Sequence, residues 1–308
     1  MKQSVPARGR FNLKAFSRDR RIKGAPVFLV DRAEDHLRDM IVQLEKELVI
    51  GEPMLRQTER ASKPLEKTHP PARKKPSPVD MWVHRNSFSQ NPSGDTGFWL
   101  SSKSLGACQK NLVKRKWWWL PPVLWPEQAK KLHELVDMAG RLGARRFFLN
   151  MPWQSVLFKR AWRVTLWAGP FCNIANGFDI ESLERLGFSG AIVSPELGQK
   201  DFMVRPGQSK LPLGIVISAN WPLCISRTLS EQFKTGMPFT SPKGETSWVS
   251  KYGDDFWLFP NWEVDIRRKR ELLAKAGYTL FVHLSEPVPK TIKIKQRPGL
   301  WNWKLGLR

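Results

Sequence analysis

From Met81 onward, short apolar runs alternate with longer stretches whose apolar residues recur at helical spacing. That alternation is the pattern of a parallel sheet covered by helices. The runs MWVHR (81–85), GFWLSS (97–102), KWWWLPP (116–122), RRFFLN (145–150), VTLWAG (164–169), GAIVSP (190–195), LGIVIS (213–218), DFWLFP (255–260) and YTLFVHL (278–284) predict strands. One module recurs between them, an amphipathic helix ending in a glycine that leads within a few residues into a strand. It reads ELVDMAGRLGARRFFLN, IESLERLGFSGAIVSP and RKRELLAKAGYTLFVHL, with Gly143, Gly187 and Gly277 as its markers. Glycine takes the left-handed conformation that closes a helix, which accounts for its place in the module.

Roughly eight such strands in about 210 residues predict an α/β fold, a TIM-like (β/α)8 barrel. Its first unit is expected to be degenerate, because the stretch between the first two strands is too short for a full helix. An open doubly wound sheet is the alternative. Ahead of the barrel, residues 1–50 predict a small basic strand–helix extension. PVFLVDR (26–32) is its strand; Leu37, Met40, Ile41, Leu44 and Leu48 lie at helical spacing, and Gly51 ends the helix. Residues 51–80, rich in Pro and Lys, predict a solvated linker. Residues 81–308 then form the barrel and a C-terminal tail.

Composition narrows the class. The chain has 308 residues, 41% hydrophobic and 11% aromatic, enough for a sizeable core. No apolar run reaches the roughly 18–20 residues of a membrane helix, so no membrane partner is expected. The start, Met1 to Arg21, lacks an apolar signal core, and a cytoplasmic location is expected. Cys108, Cys172 and Cys224 are few and far apart, which argues for a reducing compartment and against a disulfide framework. The net charge is +23 and is spread along the whole chain. Such a field attracts polyanions, nucleic acid first among them, so RNA or DNA contact is expected, with a generic basic surface that aids solubility as the alternative; no DNA-reading motif occurs.

In a β/α barrel the loops after the strands build the site. Reading those ends gives Asn150, Trp153, Asn173, Asn176, Ser194, Asn220, Arg227 and Asn261 as candidate substrate-binding residues. Glu196, Cys224 and His283 are the candidate catalytic ones. The amides and flat Trp faces suit a planar ligand, such as a base, better than a metal. Each has a structural alternative: Glu196 as a first-turn acid on the next helix, His283 as a hydrogen-bonded strand residue, Cys224 beside Arg227 as a packed thiol. Trp117, Trp118 and Trp119 lie in one strand and should face alternate sides as packing; with Lys114, Arg115 and Lys116 they could instead form a stacking platform. The tail RPGLWNWKLGLR repeats the aromatic–basic mixture or caps the barrel. No Walker loop, GxGxxG, HExxH or GxSxG occurs.

The segment Gly177–Leu197, GFDIESLERLGFSGAIVSPEL, resembles the collagenase-like peptidase family (peptidase family U, number thirty-two), in which a helix leads into a strand and a Ser-Pro-Glu-Leu turn. Here the turn is Ser194-Pro195-Glu196-Leu197. GIVISANWPLCISR looks like the family's strand that ends in a small-Pro-Leu-Cys segment, and PVFLVDR with its helix resembles the small module before the last domain of long members. The resemblance covers residues 25–50 and 115–290 and makes the chain similar to the C-terminal barrel portion of a long member. It implies a TIM-like barrel, and either peptidase activity or oxygen-independent hydroxylation of RNA bases or a quinone ring. The hydroxylases carry an iron–sulfur cluster on four cysteines. Cys224 matches the first position, but no cysteine follows it, and a cluster needs about four thiolates. An iron–sulfur cluster is therefore not expected, no metal ligands are assigned and the cofactor stays open.

Three readings follow: an RNA-modifying or RNA-binding barrel, a peptidase of the collagenase-like type, and a non-catalytic accessory barrel that has lost the family's cluster ligands. A partner protein or a missing N-terminal domain could complete the site.

Overall fold

The computed structural model describes residues 77–85, 95–158, 163–241, 244–295 and 303. The expected extension at 1–50 and nearly all of the linker at 51–80 lie outside the described residues. Seven parallel strands follow in chain order: β1 (Val79–His84), β2 (Asp95–Trp99), β3 (Trp117–Trp119), β4 (Arg146–Leu149), β5 (Thr165–Ala168), β6 (Gly190–Ile192) and β7 (Leu213–Ala219). An insertion then supplies β8 (Cys224–Ser226), β9 (Pro238–Thr240), β10 (Thr246–Tyr252) and β11 (Asp255–Pro260). The short β12 (Val264–Asp265) runs antiparallel to β7. The eighth barrel strand, β13 (Leu280–Ser285), pairs in parallel with both β7 and β1 and closes the ring.

The fold is thus the expected α/β barrel, and the open sheet is excluded by that closure. Eight of the nine predicted runs are its staves. The ninth, DFWLFP, is a strand of a separate four-stranded antiparallel sheet, β8–β11–β10–β9. Its predecessor β10 is joined to it by a tight turn at Gly253 (φ +64°), and such a turn reverses the chain, whereas a parallel neighbour needs a long crossover.

Helices α1 (Ser102–Ala107), α2 (Lys110–Val113), α3 (Ala129–Arg141), α4 (Gly177–Arg185), α5 (Gln199–Val204) and α6 (Arg270–Ala276) occupy the connections. The marker glycines have φ of +94° (Gly143), +85° (Gly187) and +115° (Gly277), the left-handed closure their spacing suggests. None of the described helices is long and apolar enough to cross a membrane.

Strand alternation divides the core in two. Phe98, Trp118, Phe147, Ile215 and Phe281 face outward against helix residues such as Leu132, Val136 and Leu183. Trp99, Trp117, Trp119, Phe148, Val216 and Val282 face the barrel axis. The triple tryptophan is therefore packing on both faces. Trp118 also donates its indole N–H to the Val113 carbonyl (3.1 Å), which anchors α2. Within the tail, buried Trp303 stacks on Phe202 of α5, and its carbonyl accepts a hydrogen bond from the Gln199 backbone, so this residue packs against the helical layer.

The insertion sheet is continuous with the inner core. Trp257 meets Trp99 edge-on with ring centres 5.5 Å apart, and Phe171 stacks on Trp221 at 4.5 Å while touching Trp257. Trp99, Phe171 and Trp221 lie at or just beyond the carboxyl ends of β2, β5 and β7. The sheet consequently plugs much of the barrel mouth with aromatic rings.

Candidate functional site

Beside the plug lies a cleft of about 450 Å³ between the loops after β1, β2 and β3 and the β10–β11 turn. Its apolar wall includes Pro121, Leu124, Leu132 and Leu135, and Lys103, Lys131 and Lys251 are exposed along it. Asp254 and Asp255 also line it. Asp255 accepts the Trp125 indole N–H (2.6 Å) and Asp254 accepts from the Gln128 amide (3.3 Å), ties that fasten the turn to the β3–α3 loop.

At the base of the cleft sits Arg85, the residue just past β1, only 7% exposed. Its Nε lies 2.9 Å from both carboxylate oxygens of Glu286, the residue just past β13. Adjacent strands deliver the two, although they are 201 positions apart in sequence. The guanidinium carbon is 4.0 Å from the ring centre of Trp99, 4.1 Å from Tyr252 and 3.9 Å from Trp257. Cation–π attraction of this kind strengthens where water is excluded. Tyr252 donates its hydroxyl to Glu286 (2.9 Å); burial and the neighbouring carboxylate push its pKa up, so the phenol stays protonated and keeps donating. One donor of the arginine, Nη2, is buried and has no acceptor among the described residues. A buried unpaired donor is costly, and an arginine is most strongly bound when its fork is filled.

None of the eleven residues nominated from sequence lines this cleft. Asn150 is buried and donates to the Leu120 carbonyl (2.7 Å), joining the ends of β3 and β4. Trp153 is 44% exposed, with its indole N–H on the Met151 sulfur. Asn173 and Ser194 are brought together, the serine hydroxyl donating to the amide oxygen at 2.5 Å. Asn176 caps α4 by accepting from the backbone N–H groups of Phe178 and Asp179. Glu196 is exposed in the turn before α5, and Asn220 is half-buried beyond β7. Cys224 is exposed on β8, while Arg227 pairs with Glu127 (3.2 Å) outside the barrel. Asn261 is buried after β11, its carbonyl accepting from the Lys295 backbone.

His283 points away from the barrel axis, contrary to the inward placement a site role requires, because Val282 and Leu284 take the inward positions. Its ring stacks on Trp82 (4.0 Å, 6°), and its nitrogens face Ser218 Oγ (2.8 Å) and Asp80 (3.4 Å). Arg270 of α6 pairs with the same aspartate at 2.7 Å. Burial, with Arg267 and Arg270 nearby, holds the His283 pKa below the usual value against the opposing pull of Asp80. Burial works against ionised Asp80 too, yet Arg270 and His283 outweigh it and lower its pKa. The ring is therefore neutral, with Nε2–H directed to Asp80 and Nδ1 accepting the serine hydroxyl. Below about pH 6.5 the unfolded chain takes up a proton that this folded histidine resists, so stability falls as pH drops through that region. Urea midpoints at about pH 7.5, 6 and 5 should show that fall, and His283→Gln should flatten it. An unchanged slope in the variant would assign the acid sensitivity elsewhere; His84, also held low by burial and Lys116, is the next group to replace.

Among the described residues no group of three or more His, Cys, Asp or Glu could hold a metal. The three cysteines do not fit a four-thiolate cluster. Cys108 is buried, Cys224 lies on the insertion sheet, and Cys172 bonds the Leu149 carbonyl with its pKa pushed up to about 12 by burial.

No family model and no curated protein matches the chain. A solved structure titled as that of the U32 peptidase Mk0906 is similar to it, at 11% sequence identity and a TM-score of 0.42, over 72% of this chain and 98% of that one.

Proposed function

We propose that this chain is an RNA-binding barrel that uses the mouth cleft, and that its Ser194–Leu197 turn marks kinship with the collagenase-like peptidases. The observation that carries the reading is the cleft itself, where three exposed lysines and the buried Arg85 adjoin an apolar wall and aromatic rings. Phosphates need the cations, and bases need flat or apolar surface. The net charge of +23 adds a long-range field of the same sign. The reading is of binding: the cysteines do not suit the hydroxylases' cluster, and neither Cys224 nor Glu196, the residues a peptidase reading would use, lines the cleft.

Fluorescence anisotropy with a labelled single-stranded RNA oligonucleotide tests it. Binding should be clear at about 50 mM salt and weaken steeply above that, because phosphate contacts release counterions. The double variant K131E/K251E should bind at least about tenfold more weakly and show a shallower salt slope. No binding at low salt, or a variant that binds like the wild type, would remove the basis of the reading.

A further inference from the structure

Arg85 is held in a way that leaves part of it unused. A guanidinium offers five N–H donors in a planar fork and can engage two acceptors, one on each side. Glu286 uses only Nε, placing both of its oxygens 2.9 Å from that one atom. The described residues give Nη2 no acceptor although it is buried. Three aromatic rings at 3.9–4.1 Å and the Tyr252–Glu286 hydrogen bond fix the group in place. The arginine is thus both oriented in advance and short of one hydrogen-bond acceptor.

We propose that the cleft is a pocket for a single nucleotide at the 5′ end of an RNA strand, whose terminal phosphate docks on Arg85 at the base of the cleft. The identity of the ligand rests on the RNA reading above; the unfilled donor of Arg85 does not. Phosphate and carboxylate are the groups whose paired oxygens match the guanidinium fork. Depth selects a strand end over its interior, because a phosphate with chain leaving in both directions cannot reach a residue that is 7% exposed. The volume of about 450 Å³ lies within the range of small-ligand sites and suits one nucleotide. Leu124, Leu132 and Leu135 offer the base an apolar wall, and the exposed lysines meet the next phosphates along the strand. The two carboxylates in the lining already have partners, Asp255 in Trp125 and Asp254 in Gln128.

Trp99 and Trp257, two of the chain's 15 tryptophans, touch Arg85, so a tryptophan fluorescence change that R85M/E286M lacks reports on the pocket. Titrations would use adenosine 5′-monophosphate, adenosine, inorganic phosphate and benzoate, alongside competition between 5′-phosphorylated and 5′-hydroxyl forms of one RNA oligonucleotide. The monophosphate should bind saturably and at least about tenfold more tightly than adenosine, the margin a charge-assisted contact gives. The 5′-phosphorylated RNA should win by a similar factor. R85M/E286M, which removes both buried charges together, should abolish the monophosphate response while still unfolding cooperatively and costing far less stability than the loss of Glu286 alone. The RNA competition needs no variant, so it decides the matter if that protein does not fold.

Equal affinity for the two RNA forms, or no response to the monophosphate, overturns the proposal. Arg85-dependent binding of benzoate with none of the nucleotide overturns the assignment to a nucleotide and makes the ligand a carboxylic acid. If RNA binds in a salt-sensitive way and K131E/K251E weakens it, yet R85M/E286M binds RNA unchanged, the nucleotide pocket falls while the RNA reading survives. If monophosphates bind and RNA does not, the pocket stands and the RNA reading falls.

Discussion

Replacing Glu286 with leucine is expected to destabilise the barrel by about 3–5 kcal/mol, the usual result of stripping one partner from a buried ion pair. The side chains of Arg85 and Glu286 are only 7% and 4% exposed, so water does little to solvate the guanidinium once the carboxylate is gone. Tyr252 would lose its acceptor at the same time. Removing both charges should be far milder, because a buried pair replaced by apolar side chains of similar size is often neutral. Urea unfolding of E286L beside R85M/E286L measures the difference. A loss below about 1 kcal/mol in the single variant would mean that the three rings, and not the carboxylate, hold the arginine.

A comparable effect of steric origin is expected at Gly190. A Cβ there would lie 2.3 Å from Trp167 Cε2 and 2.5 Å from two further atoms of that indole. The ring is rigid and packs against the inner core, where Trp117 meets it edge-on at 6.1 Å and Phe148 at 5.7 Å. Gly190→Ala should therefore cost about 1–3 kcal/mol or more, as overpacked cores do. Gly106 is the control: it lies in α1 with open space at its Cβ position, and alanine there should stabilise by about 0.5–1 kcal/mol. Opposite signs at the two positions, read from thermal or urea midpoints, would establish that the barrel interior is shaped by ring size against missing side chains. Gly190→Ala melting at the wild-type temperature would refute it.

The barrel was legible in the sequence because each stave is a short apolar run separated from the next by a helix or a long loop, and because Gly143, Gly187 and Gly277 punctuate three of the helix-to-strand joints. The insertion was not, since β10 and β11 follow each other through a tight turn and carry no helical spacing to separate them. For the same reason Lys251 and Tyr252, which adjoin that turn, gave no sign of facing a cleft. Arg85 and Glu286 were within reach: they stand just past the first and last staves, where barrel sites are built. What hid them is that each looks ordinary alone, and only closure of the ring sets them side by side. The amides chosen from strand ends, Asn150 and Asn176 above all, turned out to be holding backbone groups, a task short polar side chains perform wherever strands or helices end.

The cleft is also assembled from two parts of unequal freedom. Arg85, Trp99 and Glu286 come from the ring of staves, whose positions are locked by their neighbours on either side. Tyr252, Trp257 and Lys251 come from an antiparallel sheet inserted between β7 and β13, whose rings pack into the core but whose β10–β11 turn can change length without breaking a barrel strand pairing. Relatives that keep the arginine, its carboxylate and the rings of Tyr252 and Trp257 but change the exposed turn and Lys251 would thus retain the anchor while acquiring a new selectivity, so diversification of this architecture should concentrate at the tip of the β10–β11 hairpin.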